Sequence, residues 1–293
     1  MEIDRKELKR LARERMKLTR PKFWQVALVY LLLASILPAA LDCIPFPNNN
    51  GGLDTASLFL SILITMFTTV ISFGYDLWSL WTFRQMDPGM YSLLQGFSVV
   101  GRVLLLELSI LARTMGWTML LSFAITITVT LLFSTVPFHI LISLLSAVLF
   151  VFIWLIRLRY ALAHYLLADR PDDGPDLAIR RSVELMRKWK CELLKLEFSF
   201  VGWGLLSLLP SVALVAVCLF SGGLFQALSA GDMETVALVI DQVISAPTVS
   251  LFSALSSLPL LLWLQPYFCV TLAGFYDARL RLHRAEHAEA PPV

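Results

Sequence analysis

Apolar residues along this chain come in long runs, with the polar residues gathered in blocks between them. Six runs come close to or exceed the about 20 residues that a helix needs to cross about 30 Å of hydrocarbon. They are 23–41, 56–81, 115–133, 139–156, 196–220 and 249–275. The third and fourth are separated only by STVPFH, a short turn containing Pro137. The pattern predicts an all-α fold, a six-span transmembrane helical bundle with cytoplasmic amphipathic helices. Its expected organisation is a basic cytoplasmic segment (1–22), a six-helix transmembrane domain (23–277) and a cytoplasmic tail (278–293).

Three further segments carry a helical period with one apolar face. In 176–195, Ile179, Val183, Met186, Trp189 and Leu193 recur at steps of three or four, which makes one stripe. Gly174-Pro175 starts that helix and Asp176 suits its first turn. The stretch 180–210 then reads as one continuous helix that leaves water between Lys195 and Glu197. Residues 1–22 set Leu8, Leu11 and Ala12 against basic residues. The third segment, 91–113, gathers Gln95, Ser98, Arg102, Ser109 and Arg113 within about 60° of arc. It is expected to lie flat at the inner surface, although Glu107 projects from the opposite side. The alternative is one long tilted helix from about 100 to 134.

Composition agrees with a membrane setting: 57% of the 293 residues are hydrophobic and 16% are charged, against about 25% charged in soluble domains. The net charge of +2 matters less than its distribution. Nine Lys and Arg fall between Arg5 and Lys22 and nine more in 157–195, while 42–55, 134–138 and 221–248 have none. Basic connections stay in the cytoplasm, so both termini are expected there. The long polar lead argues for an uncleaved first span. Cys43, Cys191, Cys218 and Cys269 stand far apart, a spacing that supports neither a zinc site nor a disulfide framework.

Ionisable groups inside apolar runs are costly and often mark a pathway. The candidates are Asp76, Glu107, Arg113, Glu197 and Asp277. Asp76 and Asp277 are each expected near the inner interface, paired with an arginine such as Arg157 or Arg159 to fix helix register; a proton or cation relay is the competing reading. Glu197 is expected to be paired locally. Trp78, Trp81, Trp154, Trp189, Trp203 and Trp263 read as interface anchors, and Gly202-Trp203-Gly204 as a close helix approach. No GxSxG, HExxH, P-loop or GxGxxG is present, so no catalytic residue, metal site or cofactor site is expected.

Three blocks, SLLQGFSVVGR (92–102), YALAHYLLADRP with AIRRSVELMRKWKCELLKLEFSFVGW (160–203), and QPYFCVTLAGFYDARL (265–280), together resemble a bacterial integral membrane family catalogued as domain of unknown function 975. The middle block is the most specific, with Ser182, Met186, the run Glu197 to Phe200, and Trp203. The resemblance implies a multi-pass protein of a bacterial plasma membrane and carries over no catalytic residue. The expected role is a non-enzymatic membrane module whose partners are the bilayer, with anionic headgroups at its cytoplasmic face, or an unknown membrane protein. Nucleic acid is not expected, because the basic arm leads directly into a span. The alternative is a small transporter or channel using the intramembrane carboxylates. An enzyme acting on lipid would need convergent acids and bases that spacing alone does not reveal.

Overall fold

The structure, a computed structural model, describes residues 4–42, 55–132, 138–231 and 233–288. The connections expected at 42–55 and 134–138 therefore lie largely outside the described residues. All regular structure among the described residues is helical.

Helix α1 (Arg5–Leu18) starts at Asp4, whose carboxylate accepts the Lys6 N–H at 2.9 Å. Helix α2 (Phe23–Leu31) runs through a π turn (Leu32–Ile36) into α3 (Leu37–Asp42). Helix α4 (Thr55–Arg84) closes with Gln85 at φ 59°, where the Met86 and Gln85 N–H groups return to the Trp81 and Thr82 carbonyls. That is the usual left-handed helix stop, here without glycine. A short helix α5 (Ser92–Gln95) and a 3-10 turn lead into α6 (Val100–Leu132), followed by α7 (Phe138–Tyr160) and α8 (Ala163–Asp169). Next come α9 (Pro175–Leu185), α10 (Lys190–Ser221), α11 (Leu224–Ala230), α12 (Met233–Ser245) and α13 (Pro247–Ala288).

Five helices are long and apolar enough to cross a membrane, within Leu58–Arg84, Ser92–Thr128, Leu145–Asp169, Lys190–Ser221 and Leu255–Glu286. The first expected span is represented by a shorter apolar helix, Phe23–Ile36. Several expectations are corrected. The 91–113 segment is not a separate flat helix: from Val100 it continues unbroken to Leu132, as in the long-helix alternative. The 176–195 helix breaks at residues 186–189, so 180–210 is not continuous. There the Leu185 carbonyl accepts the Arg279 Nε–H at 3.0 Å, and Trp189 N–H bonds to Met186 instead. The 221–248 connection contains α11 and α12, and the expected tail continues α13 as helix through Ala288. Arg279 of that tail is only 5% exposed.

Burial divides every long helix in two. On α4, Ile71, Tyr75, Trp78 and Leu80 are buried, whereas Leu58, Phe59, Ile62 and Met66 are exposed. On α10, Leu193, Leu196 and Phe200 are buried, whereas Leu205, Leu208, Val212, Val217 and Phe220 are exposed. Val103 and Leu106 of α6 are buried, and Met119, Leu120 and Phe123 are not. Apolar exposure on this scale suits hydrocarbon rather than water. The packed half is the end that carries α1, α8 and α9, called the basic end below.

The apolar faces of α1 and α9 are spent on this core. Leu8, Ala12 and Met16, and Ala178, Ile179 and Leu185, are buried in the protein, so neither helix has its apolar face free to rest on headgroups. Trp78, expected as an interface anchor, is fully buried. The close approaches also lie elsewhere than expected: a Cβ at Gly202 or Gly204 would meet nothing within 4 Å. At Gly74, by contrast, it would lie 2.1 Å from the Leu93 carbonyl oxygen, and at Gly96 2.5 Å from that of Val70. Backbone cannot rotate away as a side chain can. Gly74→Ala should therefore lower stability by about 1–3 kcal/mol, the usual overpacking cost; an unchanged thermal midpoint in detergent would show that α4 and α5 do not pack this closely.

Candidate functional site

The polar groups of the apolar helices collect at one depth. About 20 residues span the hydrocarbon. Counted inward from the far end of each helix, that length reaches Tyr75-Asp76 on α4 from Thr55, Arg113 on α6 from Leu132, and Arg157 on α7 from Phe138. On α10, from Ser221, it reaches Gly202, less than two turns from Glu197. Length alone thus puts Asp76, Arg113, Arg157 and Glu197 near the boundary between the exposed spans and the packed end.

Three of these helices meet at a histidine that the sequence reading did not single out. Helix α7 ends at Tyr160, residues 161 and 162 form a turn, and α8 restarts with His164 in its first turn. His164 Nδ1 lies 4.0 Å from Asp76 Oδ2, and Nε2 lies 3.6 Å from Glu107 Oε1. The Tyr165 hydroxyl donates to the Cys269 carbonyl at 3.4 Å. Arg157, in the last turn of α7, is exposed. The turn before His164 was the signal available in advance: YALAHYLLAD follows a run of the right length for a span, and the ring sits just past it.

The other predicted residues do not join this group. Glu197 accepts the Trp154 Nε1–H at 3.1 Å. Arg113 pairs with Asp176 at 2.8 Å and Arg102 with Asp172 at 3.2 Å. The polar face proposed for 91–113 therefore exists, but it is held by the residues leading into α9. Asp277 accepts from Arg84 at 3.3 Å and from Arg281 at 2.7 Å, not from Arg157 or Arg159.

Arg84 centres the second polar group. Its two terminal nitrogens donate to Asp169 at 2.5 and 2.9 Å, while Nε and Nη2 reach Asp277 at 3.3 Å. The Tyr276 hydroxyl donates to Asp169 at 2.9 Å. One guanidinium so joins the ends of α4 and α8 to the later part of α13. Beside it, a cavity of about 220 Å³ is lined by residues including Arg170, Arg181, Glu184, Tyr276 and Arg284.

Basic side chains also pin α1 to this end. Arg15 donates to the Phe83 carbonyl, and Arg13 Nε donates to the Tyr267 hydroxyl at 2.9 Å. Lys9 stacks over Phe200 at 4.1 Å. Burial, with Arg13 and Arg5 alongside, holds the Lys9 ammonium below the ordinary lysine pKa. Outward, Lys6, Lys9, Arg10, Arg13, Glu14 and Lys17 line a groove of about 380 Å³. Among the described residues no group of three or more His, Cys, Asp or Glu is arranged to hold a metal, and Cys191, Cys218 and Cys269 are free thiols.

An all-helical chain with five helices of membrane-crossing length and one packed, ion-paired end fits a multi-pass membrane protein. The chain belongs to the family described as "Protein of unknown function (DUF975)", which matches residues 1–282. Neither the curated proteins nor the solved structures give a match.

Two substitutions test the polar groups. Arg84→Gln and Asp169→Asn should show a coupling of about 1–3 kcal/mol in a double-mutant cycle of unfolding in detergent; additive effects would mean that the pair carries no joint stability. Tyr75, Trp78 and Thr82 each bury a polar atom with no partner among the described residues. Since such an orphan costs about 1–3 kcal/mol, Thr82→Val should leave the melting midpoint unchanged or raise it. A fall would reveal a partner for the hydroxyl.

Proposed function

We propose that the protein is a non-enzymatic module of a bacterial plasma membrane that gathers anionic lipid headgroups at its cytoplasmic face. In this reading the chain crosses six times, the first crossing being the helical stretch from Phe23 to Asp42, and both termini lie in the cytoplasm with the basic end. An unidentified membrane partner would dock at the same face. The positive-inside distribution of Lys and Arg supports that orientation.

The observation that carries the reading is the arrangement of α1. Its apolar side is consumed by the protein core, so its cationic side is presented outward as one groove. Arg13, which shares the groove, and Arg5 both repel the Lys9 ammonium. An anion in the groove would relieve that repulsion, and a lipid phosphate lies at the right level to supply it. The transporter alternative draws its support from Asp76 and Glu107 meeting at His164. Glu197, its third carboxylate, stands apart with Trp154.

Lys6, Arg10 and Lys17 are the substitutions of choice, because Lys9 and Arg13 also anchor α1. Each basic residue near a membrane surface contributes about 1 kcal/mol toward anionic lipid. The triple change to Gln should therefore weaken retention of short-chain phosphatidylglycerol roughly a hundredfold, and leave phosphatidylcholine retention alone, as read by native mass spectrometry of the full chain. Equal retention of the two lipids by the wild type would remove the proposal.

A further inference from the structure

The cavity of about 220 Å³ beside Arg84 is walled by the last turn of α8, one side of α9 and the later part of α13. Leu166, Leu185 and Leu280 give it apolar wall, together with Tyr276. Two of its charged groups are already engaged. Asp169 is held by both terminal nitrogens of Arg84 and by the Tyr276 hydroxyl, and Arg181 pairs with Asp173, which does not line the cavity. His283 lies 3.9 Å from Glu286 of its own helix. Three more charged side chains line the same space, Arg170, Glu184 and Arg284. Among the described residues none of the three has an ion-pair partner within salt-bridge distance. All three are exposed, so a solute reaches them without displacing packed side chains.

Depth separates this cavity from the bilayer. Arg84, which grips Asp169, stands eight residues past Asp76 on α4, about 12 Å along the helix. Asp76 lies near the edge of the hydrocarbon, and the headgroup layer adds only about 5–8 Å beyond that edge. The cavity is therefore in water, past the lipid phosphates. Its chemistry sets two requirements. A pair of guanidiniums without carboxylates calls for a dianion, and phosphate oxygens match the guanidinium fork; a single carboxylate would answer one arginine and leave the other. Glu184, an acceptor without a donor, calls for a hydroxyl on the same ligand. Volume agrees: with about 30 Å³ for each water, a space of about 220 Å³ holds more than a bare phosphate. The leucine wall suits the carbons that join phosphate to hydroxyl.

We propose that this cavity binds a small, water-soluble phosphomonoester that carries hydroxyl groups, a phosphorylated polyol, with its phosphate on Arg170 and Arg284 and a hydroxyl donating to Glu184. The site goes beyond the gathering of lipid and does not rest on it, because no residue of α1 lines the cavity and no residue of the cavity lines the α1 groove. Since α8, α9 and α13 all contribute wall, an occupied cavity also holds these three helices together, and binding to the folded chain raises its stability.

The test uses the full chain in detergent and isothermal titration calorimetry, with glycerol phosphate, inorganic phosphate, glycerol and short-chain phosphatidic acid as probes. The wild type should bind glycerol phosphate several-fold more tightly than inorganic phosphate, and glycerol not at all. Arg170→Gln and Arg284→Gln should each weaken glycerol phosphate roughly tenfold, the effect of losing a charge-assisted hydrogen bond. Glu184→Ala should bring glycerol phosphate down to the affinity of inorganic phosphate. Thermal midpoints without ligand show that the variants are folded, and glycerol phosphate should raise the midpoint of the wild type but not that of the double arginine variant. No binding of glycerol phosphate by the wild type, or wild-type affinity in both arginine variants, overturns the proposal. Equal affinity for the two phosphates in the wild type would overturn the assignment to a polyol, and phosphatidic acid competing as well as glycerol phosphate would overturn the assignment to a soluble ligand. The triple α1 variant should bind glycerol phosphate as the wild type does, and Arg170→Gln should keep the retention of phosphatidylglycerol, so failure of either reading is visible without the other.

Discussion

Arg84 ties together helices that are far apart in the chain. It ends α4, grips Asp169 at the end of α8, and reaches Asp277, three turns before the end of α13. Tyr276 and Arg281 complete the arrangement from α13 itself. A guanidinium held among apolar side chains is stable only when its donors are met, and here two carboxylates meet them. The rest of the packed end assembles around that junction. Helix α9 hangs from α7 through the Ser182 hydroxyl, which donates to the Arg159 carbonyl at 2.9 Å, and Arg279 carries α13 to the Leu185 carbonyl.

That junction also separates two regimes of packing within the same helices. Toward the basic end, side chains interlock and aromatic pairs stack, as with Tyr165 and Tyr276 at 5.6 Å between ring centres. Toward the other end the same helices present leucine, valine and phenylalanine outward. In lipid, apolar side chains gain nothing by turning inward, and helices associate through packing and polar contacts instead. The polar contacts are concentrated at one end, and the close packing is found there too.

Much of this was legible in the sequence, and the failures have physical causes. Apolar run length located the long helices, because the cost of an unsatisfied backbone in hydrocarbon leaves helix as the solution for such a run. Asp76 and Glu107 were identifiable as isolated charges, but their meeting point was not. His164 sits in an ordinary polar stretch, and only the turn after Tyr160 aims it at them. The break at residues 186–189 was invisible for a similar reason: the Leu185 carbonyl there is taken by Arg279, more than ninety residues later. Amphipathic period showed that α1 and α9 have apolar faces. It did not say whether lipid or protein covers them, since both reward the same stripe.

Helix α13 runs for 42 residues, from Pro247 to Ala288, through both regimes. At about 1.5 Å per residue it is roughly 63 Å long, twice the hydrocarbon thickness, and Pro259 and Pro266 lie within it. Each proline deletes a rung of the backbone ladder and softens the rod, and both come before the stretch clamped by Tyr276, Asp277 and Arg279. A bilayer that thickens or thins can therefore be met by leaning the outer portions of the helices, with the bending absorbed at the prolines and the ion-paired end kept in register.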